Sequence, residues 1–363
     1  MPDIPAATYR LQFSADFTFG DAEKILPYLA KLGVSHVYAS PIARARSAST
    51  HGYDVVDPNV VNPELGGEEA FRSCVGRARE LGLGWVQDIV PNHMAYSYEN
   101  RYLVDLFEQG EHSRFRNFFD IDWHHPDENI RGRVHAPVLG ELFGTVLEKG
   151  HIRLAYDQDG FSINYWEHRF PLRLETYARV LRRGAERLEE ELGRRDPRHV
   201  RFLGVLYILG GLADETDPDR RGDLSGFVKE MLWELYDNEP VVERFINENI
   251  ESFNGQAGIP ESFKSLEELL WKQVYRLSFW RVASEEINYR RFFSVNDLIC
   301  VRQEESAVFE RTHELVFRLI DEGLVDGIRI DHIDGLYDPT GYLRALRDRI
   351  PETPVFVEKI LDI

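Results

Sequence analysis

Apolar residues along this chain fall into runs of two different periods. Five runs are β-rich and short: residues 7–13, which alternate, then 34–40, 85–90, 325–330 and 354–357. Each stops at a serine, a proline or a carboxylate, as expected of short buried strands bounded by turns. Between them apolar positions recur at helical spacing. Residues 21–32 carry Ile25, Leu26 and Leu29 and stop at Gly33, and residues 68–81 stop at Gly82. Residues 342–349, with Leu343 and Leu346 continued by Ile350, join the last two runs. Strand–helix–strand order with short turns predicts parallel strands whose C-terminal ends share one face.

This order predicts an α/β fold, a (β/α)8 TIM barrel of which about the first five strands are present. The third and fourth strands are separated by roughly 230 residues, far too many for one βα connection, so the gap must hold structure of its own. The expected organisation is three βα units over 1–94, an inserted mixed and helical region over 95–324, and strands four and five over 325–363. The first part of the insertion, 95–170, is rich in Trp, His, Asp and Gly and reads as loops and strands. Residues 172–192 turn helical and highly charged, and further helices are predicted around 227–235, 241–249, 266–282 and 306–320. Insertions at the C-terminal rim of a barrel are where substrate grooves are built. An open five-strand sheet leaves an unpaired edge, so the chain reads as the N-terminal portion of a longer protein.

Composition narrows the function classes. At 363 residues with 43% hydrophobic and 12% aromatic content, the chain can bury a large core and is not disordered. A formal net charge of −19 argues against nucleic acid and against anionic membrane surfaces, and suits a neutral substrate such as an oligosaccharide. Cys74 and Cys300 are too few for a disulfide framework or a thiolate metal site. Neither a secretory signal nor a bilayer-spanning run is visible, so the expected compartment is the cytoplasm.

The candidate chemistry sits at the strand ends. Asp331 follows the fourth run and Glu358 the fifth. Two carboxyl groups facing each other across such a rim, about 5 Å apart, are what retaining glycoside chemistry requires. Arg329 shares a strand face with Asp331 and is expected to hold it ionised. Four apolar residues ahead of Glu358 are expected to raise its pKa, as a general acid requires. The third run ends in Asp88, followed by Asn92 and His93, and the loop after the second carries Tyr53, a ring on which a sugar can stack. Taken singly, these are also readable as a polar turn cap, a structural ion pair and a packed loop tyrosine. Three strand-end motifs of one kind favour function. The expected substrate-binding set is Tyr53, Asp88, Asn92, His93, Arg329 and His332. Trp123-His124-His125 lacks the spacing of a zinc site, and no metal is expected.

Asp88…Asn92-His93, then Gly327-x-Arg329-x-Asp331, then Glu358 resemble the α-amylase superfamily of glycoside hydrolases. Further blocks resemble the superfamily's maltooligosyltrehalose-forming transglucosylases: Thr8 to Phe13, Ser49 to Asp54, Pro137 to Gly140, Glu286 to Phe293, and Val357 to Leu361. The resemblance covers the whole chain. It implies an isomerase that turns the reducing-end α-1,4 linkage of a maltooligosaccharide into an α,α-1,1 linkage without a cofactor. Asp331 would be the nucleophile, Glu358 the acid/base, Arg329 the partner of Asp331, and His93 and Tyr53 ligands of the transferred sugar. The implied partners are a maltooligosaccharide substrate and a trehalose-releasing hydrolase. Ser294 and Ile333 depart from the usual pattern. A third carboxylate, at the end of a seventh strand, would lie beyond Ile363. Where amylases tend to place a Lys-His pair after the nucleophile, this chain has Asp334 and Gly335, an altered acceptor side. Trp and His side chains between Trp123 and Trp166 are expected to line that side and exclude water. The alternatives are an amylase-type hydrolase, a glucanotransferase acting between chains, or a fragment that only binds oligosaccharide.

Overall fold

The computed structural model describes residues 4–361, which form two compact units. One holds the residues up to Arg101, Phe118–Asp120 and those from Arg290 onward; the other holds Tyr102–Asn117 and Ile121–Tyr289.

The first unit is an α/β layer built on a five-stranded sheet. Its strands are β1 (Thr8–Leu11), β2 (His36–Ala39), β3 (Gly84–Ile89), β4 (Gly327–Ile330) and β5 (Val355–Val357). All neighbours pair in parallel, and spatial order follows chain order. Among the described residues β1 and β5 are edges and the sheet does not close. Helices α1 (Phe19–Leu32), α2 (Gly67–Glu80), α3 (Ser306–Asp321) and α4 (Pro339–Arg349) precede β2, β3, β4 and β5 respectively.

Local chemistry fixes the helix ends. The Asp21 carboxylate accepts from the Thr18 backbone N–H and hydroxyl at 3.1 and 2.8 Å, so α1 starts two residues earlier than its apolar period suggests. Gly33 ends it at φ 87°, a left-handed conformation that a side chain would resist. Asp338 caps α4 by accepting from the Gly341 N–H, with Pro339 at the first helical position. The apolar faces of α1 and α2 close over Trp85 of β3. Phe71 meets the Trp85 ring edge-on at 5.6 Å and Phe19 at 5.5 Å, and all three are buried.

The region expected to be one insertion divides between the units. Residues 290–324 belong with the sheet: Leu298–Cys300 pairs antiparallel with His93–Ala95, and α3 is a crossover helix. Arg318 of α3 grips Glu68 of α2 with two hydrogen bonds of 2.6 and 2.8 Å. The second unit contains a three-stranded antiparallel sheet (Arg153–Asp157, Gly160–Tyr165, His168–Pro171). It also holds the long helices Pro197–Gly211, Pro218–Asn238 and Pro240–Asn254. The helix expected over 266–282 is a correction. Only Lys264–Leu270 is α-helical, and Tyr275–Phe279 is a strand paired in parallel with Val134–Leu139. Tyr275 and Leu277 are buried there while Arg276 is not, a period of two that the preceding leucines obscured. The helix at Pro197–Gly211 was not expected, although Asp196-Pro197 is a clear N-terminal signal. No helix among the described residues is long and apolar enough to cross a membrane.

Removing the Phe71 ring leaves a void between α2 and Trp85. Phe71→Ala should destabilise the sheet unit by about 3–5 kcal/mol. Urea unfolding followed by near-ultraviolet circular dichroism would check this, and a loss under 1 kcal/mol would place the ring outside the core.

Candidate active site

The register of β3, β4 and β5 assembles the site. Arg329 lies opposite Asp88 on one side and Phe356 on the other, and Ile330 lies opposite Val357. One residue further, Asp331 and Glu358 stand at equal heights on adjacent parallel strands. The ladder still holds there: the Asp331 N–H donates to Ile89 O at 2.9 Å, and the Glu358 N–H to Ile330 O at 3.0 Å. Equivalent backbone positions on neighbouring strands are ~4.8 Å apart.

One guanidinium joins three carboxylates. Arg329 Nη1 donates to both Asp88 oxygens at 2.9 and 3.1 Å and to Asp331 Oδ1 at 2.9 Å, and Nη2 lies 3.2 Å from Glu358 Oε1. Asp88 is buried and also accepts from Tyr53 (2.7 Å) and Tyr38 (3.0 Å). Arg10 Nη2 donates to the Tyr53 oxygen and its guanidinium lies over the Tyr38 ring. Both Asp88 oxygens are therefore engaged by protein, which makes this side chain the anchor of Arg329 and Tyr53.

Electrostatics set the two outer carboxyls apart. Burial and then the neighbouring Asp88 lift Asp331 to about 7, despite the opposing pull of Arg329. The expectation that Arg329 simply keeps Asp331 ionised is corrected here, because burial and the Asp88 charge outweigh the guanidinium. The Glu358 side chain is 46% exposed among the described residues, beside Phe356 and Val357, which are also exposed. Its Oε2 accepts from the His332 backbone N–H at 2.8 Å. Lys359 points away, as alternation predicts, and pairs with Asp334 at 2.6 Å.

His332 adopts φ 47° and ψ 52°, a conformation rare for a side-chain-bearing residue and frequent at functional sites. Its ring packs against Phe292 at 4.7 Å, and the opposite neighbour of Phe292 is His93 at 4.4 Å. His93 is buried, and burial pushes its pKa down to about 3, so the ring is neutral at physiological pH. Its Nε2 makes no hydrogen bond to any described residue, leaving a polar atom for a ligand hydroxyl. Asn92 is fully buried, its Oδ1 accepting from Arg290 at 3.0 Å and its Nδ2 directed at His93 and Cys300. Arg290 also donates to the Gly335 carbonyl and pairs with Asp120. A Cβ on Gly335 would stand 2.2 Å from the His332 ring and 2.8 Å from Asn92 Oδ1, so only glycine fits this turn.

All eight expected residues thus converge on one rim, six of them in a continuous chain of hydrogen bonds and ion pairs. Asn92 and Asp88 face protein partners, whereas His93 and Glu358 keep capacity for a ligand. Sequence reading missed Arg10, Tyr38, Arg290 and Phe292 as site components. Arg10 and Tyr38 are register partners, each a polar interruption of an apolar strand, and that shared interruption was the available signal. Among the described residues no group of three or more His, Cys, Asp or Glu side chains could hold a metal ion. His125 Nδ1 instead accepts from the Asp127 N–H in a turn.

An Asp whose folded pKa is raised binds its proton more tightly folded than unfolded. Stability is then lost as pH rises from the unfolded value near 4 to about 7. Asp331→Asn should therefore stabilise the sheet unit at pH 8, by at most about 4 kcal/mol, and have little effect at pH 4. Urea titrations at the two pH values would test it, and an equal effect at both would refute the assignment.

The model of the α-amylase catalytic domain matches residues 15–146. A Mycobacterium tuberculosis protein named as a maltooligosyl trehalose synthase is 34% identical over 98% of this chain and 35% of its own length. The structure of maltooligosyltrehalose synthase from Arthrobacter ramosus superposes with a TM-score of 0.67 at 34% identity, covering 99% of this chain and 35% of that one. A glycosyltrehalose synthase structure gives the same TM-score at 35% identity, covering 98% and 37%. The chain spans about a third of the length of the relatives it matches. Over nearly its whole length the chain is therefore similar to about a third of proteins named as maltooligosyl trehalose synthases, and its residues 15–146 match the α-amylase catalytic domain.

Proposed function

We propose that the five-stranded sheet is part of a (β/α)8 barrel, and that the protein converts the reducing-end α-1,4 linkage of a maltooligosaccharide into an α,α-1,1 linkage. The observation that carries this reading is the equal register of Asp331 and Glu358 on adjacent parallel strands, bridged by Arg329. Glu358 protonates the glycosidic oxygen while the Asp331 carboxylate attacks the anomeric carbon, forming a glycosyl ester and freeing glucose. The glucose turns over, its anomeric hydroxyl attacks the anomeric carbon of the glycosyl ester, breaking that carbon's bond to the Asp331 oxygen, and Glu358 takes the proton back. Asp331 leaves as a carboxylate, and no atom is gained or lost.

The residues around the pair serve these steps. Arg329 and Asp88 hold Asp331 in position, and burial together with the Asp88 charge raises the Asp331 pKa toward neutrality. His93 Nε2 and the Tyr53 ring hold the transferred sugar, with Asn92 positioning His93 and His332 orienting Glu358 through its N–H. Transfer outruns hydrolysis only if water is kept from the ester. Asp334 and Gly335 bear on this, because Gly335 lets His332 sit tight against the turn and Asp334 is locked by Lys359 and the Ile360 N–H. The α,α-1,1 terminus of the product suits a trehalose-releasing hydrolase as the next enzyme, and the cytoplasm supplies the substrate.

Products separate this reading from an amylase-type hydrolase using the same residues. Maltopentaose should yield a non-reducing product of unchanged length by chromatography and mass spectrometry, whereas rising reducing ends would favour hydrolysis. Glu358→Gln should abolish turnover of maltopentaose yet keep activity on an α-glucosyl fluoride, whose departure needs little acid assistance. Parallel loss on both substrates would make Glu358 structural.

A further inference from the structure

The second unit carries a feature that its folding does not explain. The strands Gly160–Tyr165 and His168–Pro171 form a hairpin closed by Trp166 and Glu167, with Tyr165 opposite His168. In so short a connection, a positive φ at the first loop position calls for glycine. Trp166 occupies it at φ 50° and is 70% exposed. A bulky residue is strained there, and an indole in water adds a second penalty. Both would vanish with glycine, so the tryptophan serves something other than the turn.

Its surroundings show what that is. Trp166 edges an open trough between the antiparallel sheet and the helix Pro240–Asn254, with a cavity volume of about 680 Å³. This lies within the ~300–1,000 Å³ of ligand pockets, and the trough's open side suits a short segment of a chain lying along it. His151 packs against the indole at 5.3 Å. Arg153 and Glu251, both exposed, line the trough without an ion pair among the described residues. Asn164 lies beside them, its Oδ1 taken by Ser162, leaving its amide N–H groups to donate. Tyr156, also in the lining, has a buried hydroxyl with no hydrogen-bond partner. An apolar plate beside planar donors and acceptors matches a pyranose, with its C–H face and its ring of hydroxyls. The uncommitted charges are of opposite sign, which favours a neutral polyol over an ionic ligand.

We propose that the Trp166 trough is a binding site for α-1,4-linked glucan, built wholly from residues of the second unit. The choice of glucan rests on the function proposed above; the presence of a sugar site does not. Native electrophoresis through gels containing soluble starch tests it, using the whole chain. The wild-type chain is retarded, and Trp166→Gly weakens the apparent affinity at least tenfold. The glycine variant melts at the same or a higher temperature, because glycine relieves the turn. Asp331→Asn, which cannot turn over substrate, is retarded as the wild type is. The proposal is overturned if starch does not retard the wild type, or if Trp166→Gly migrates with it. Loss of retardation in Asp331→Asn alone would also overturn it, by placing the binding at the strand-end site. The maltopentaose assay reads the proposed reaction separately, so either idea can fail without the other.

Discussion

The site depends on a single guanidinium serving three carboxylates. Without Arg329, Asp88 and Asp331 would be two acids facing each other in a buried space, where like charges cannot both remain ionised. With it, the backbone of β4 can bring Asp331 beside Asp88 and still leave Glu358 within reach on β5. Tyr53 and Tyr38 satisfy what remains of Asp88, so the cost of burying its charge is met by hydrogen bonds rather than by water. Burial, and then the nearby Asp88 charge, still lift Asp331 toward neutrality against the pull of Arg329.

The sheet was largely legible in the amino-acid sequence. All five strands follow from β-rich runs ended by serine, proline or a carboxylate, and α1, α2, α3 and α4 from apolar spacing, with glycine at the ends of the first two. A parallel strand buried on both faces leaves little ambiguity of register, so Asp88, Arg329, Asp331 and Glu358 could be placed on one rim before any contact was known. What could not be read was set by long-range packing. Nothing local to Arg290 shows that it grips a carbonyl after β4, and nothing local to Phe292 places it between two imidazoles. Tyr275–Phe279 was misread because leucines just upstream share the helical period.

Around the carboxylates, rigidity comes from close approach. Gly335 lets the His332 ring and the Asn92 amide meet, and Arg290 ties that turn to Asp120 and Asn92. The left-handed backbone of His332 is held by these contacts, and it is this conformation that turns an N–H toward Glu358. A conformation of this kind costs about 1–3 kcal/mol and is tolerated because its neighbours over-determine it.

The pairing of Asp88 with Arg329 spans 241 residues of chain. Closing so long a loop adds little to the equilibrium cost, since each doubling of length adds only about 0.6 kcal/mol. The effect on the order of folding is larger, because contacts between distant segments form slowly. β1, β2 and β3 are contiguous with their helices and can assemble early, whereas β4 can dock only once both ends of the intervening segment are brought together. The carboxylate cluster therefore comes into being as one event at the end of folding. Until β4 arrives, Asp88 stands at an open sheet edge with the Tyr38 and Tyr53 hydroxyls but no cation to meet its charge.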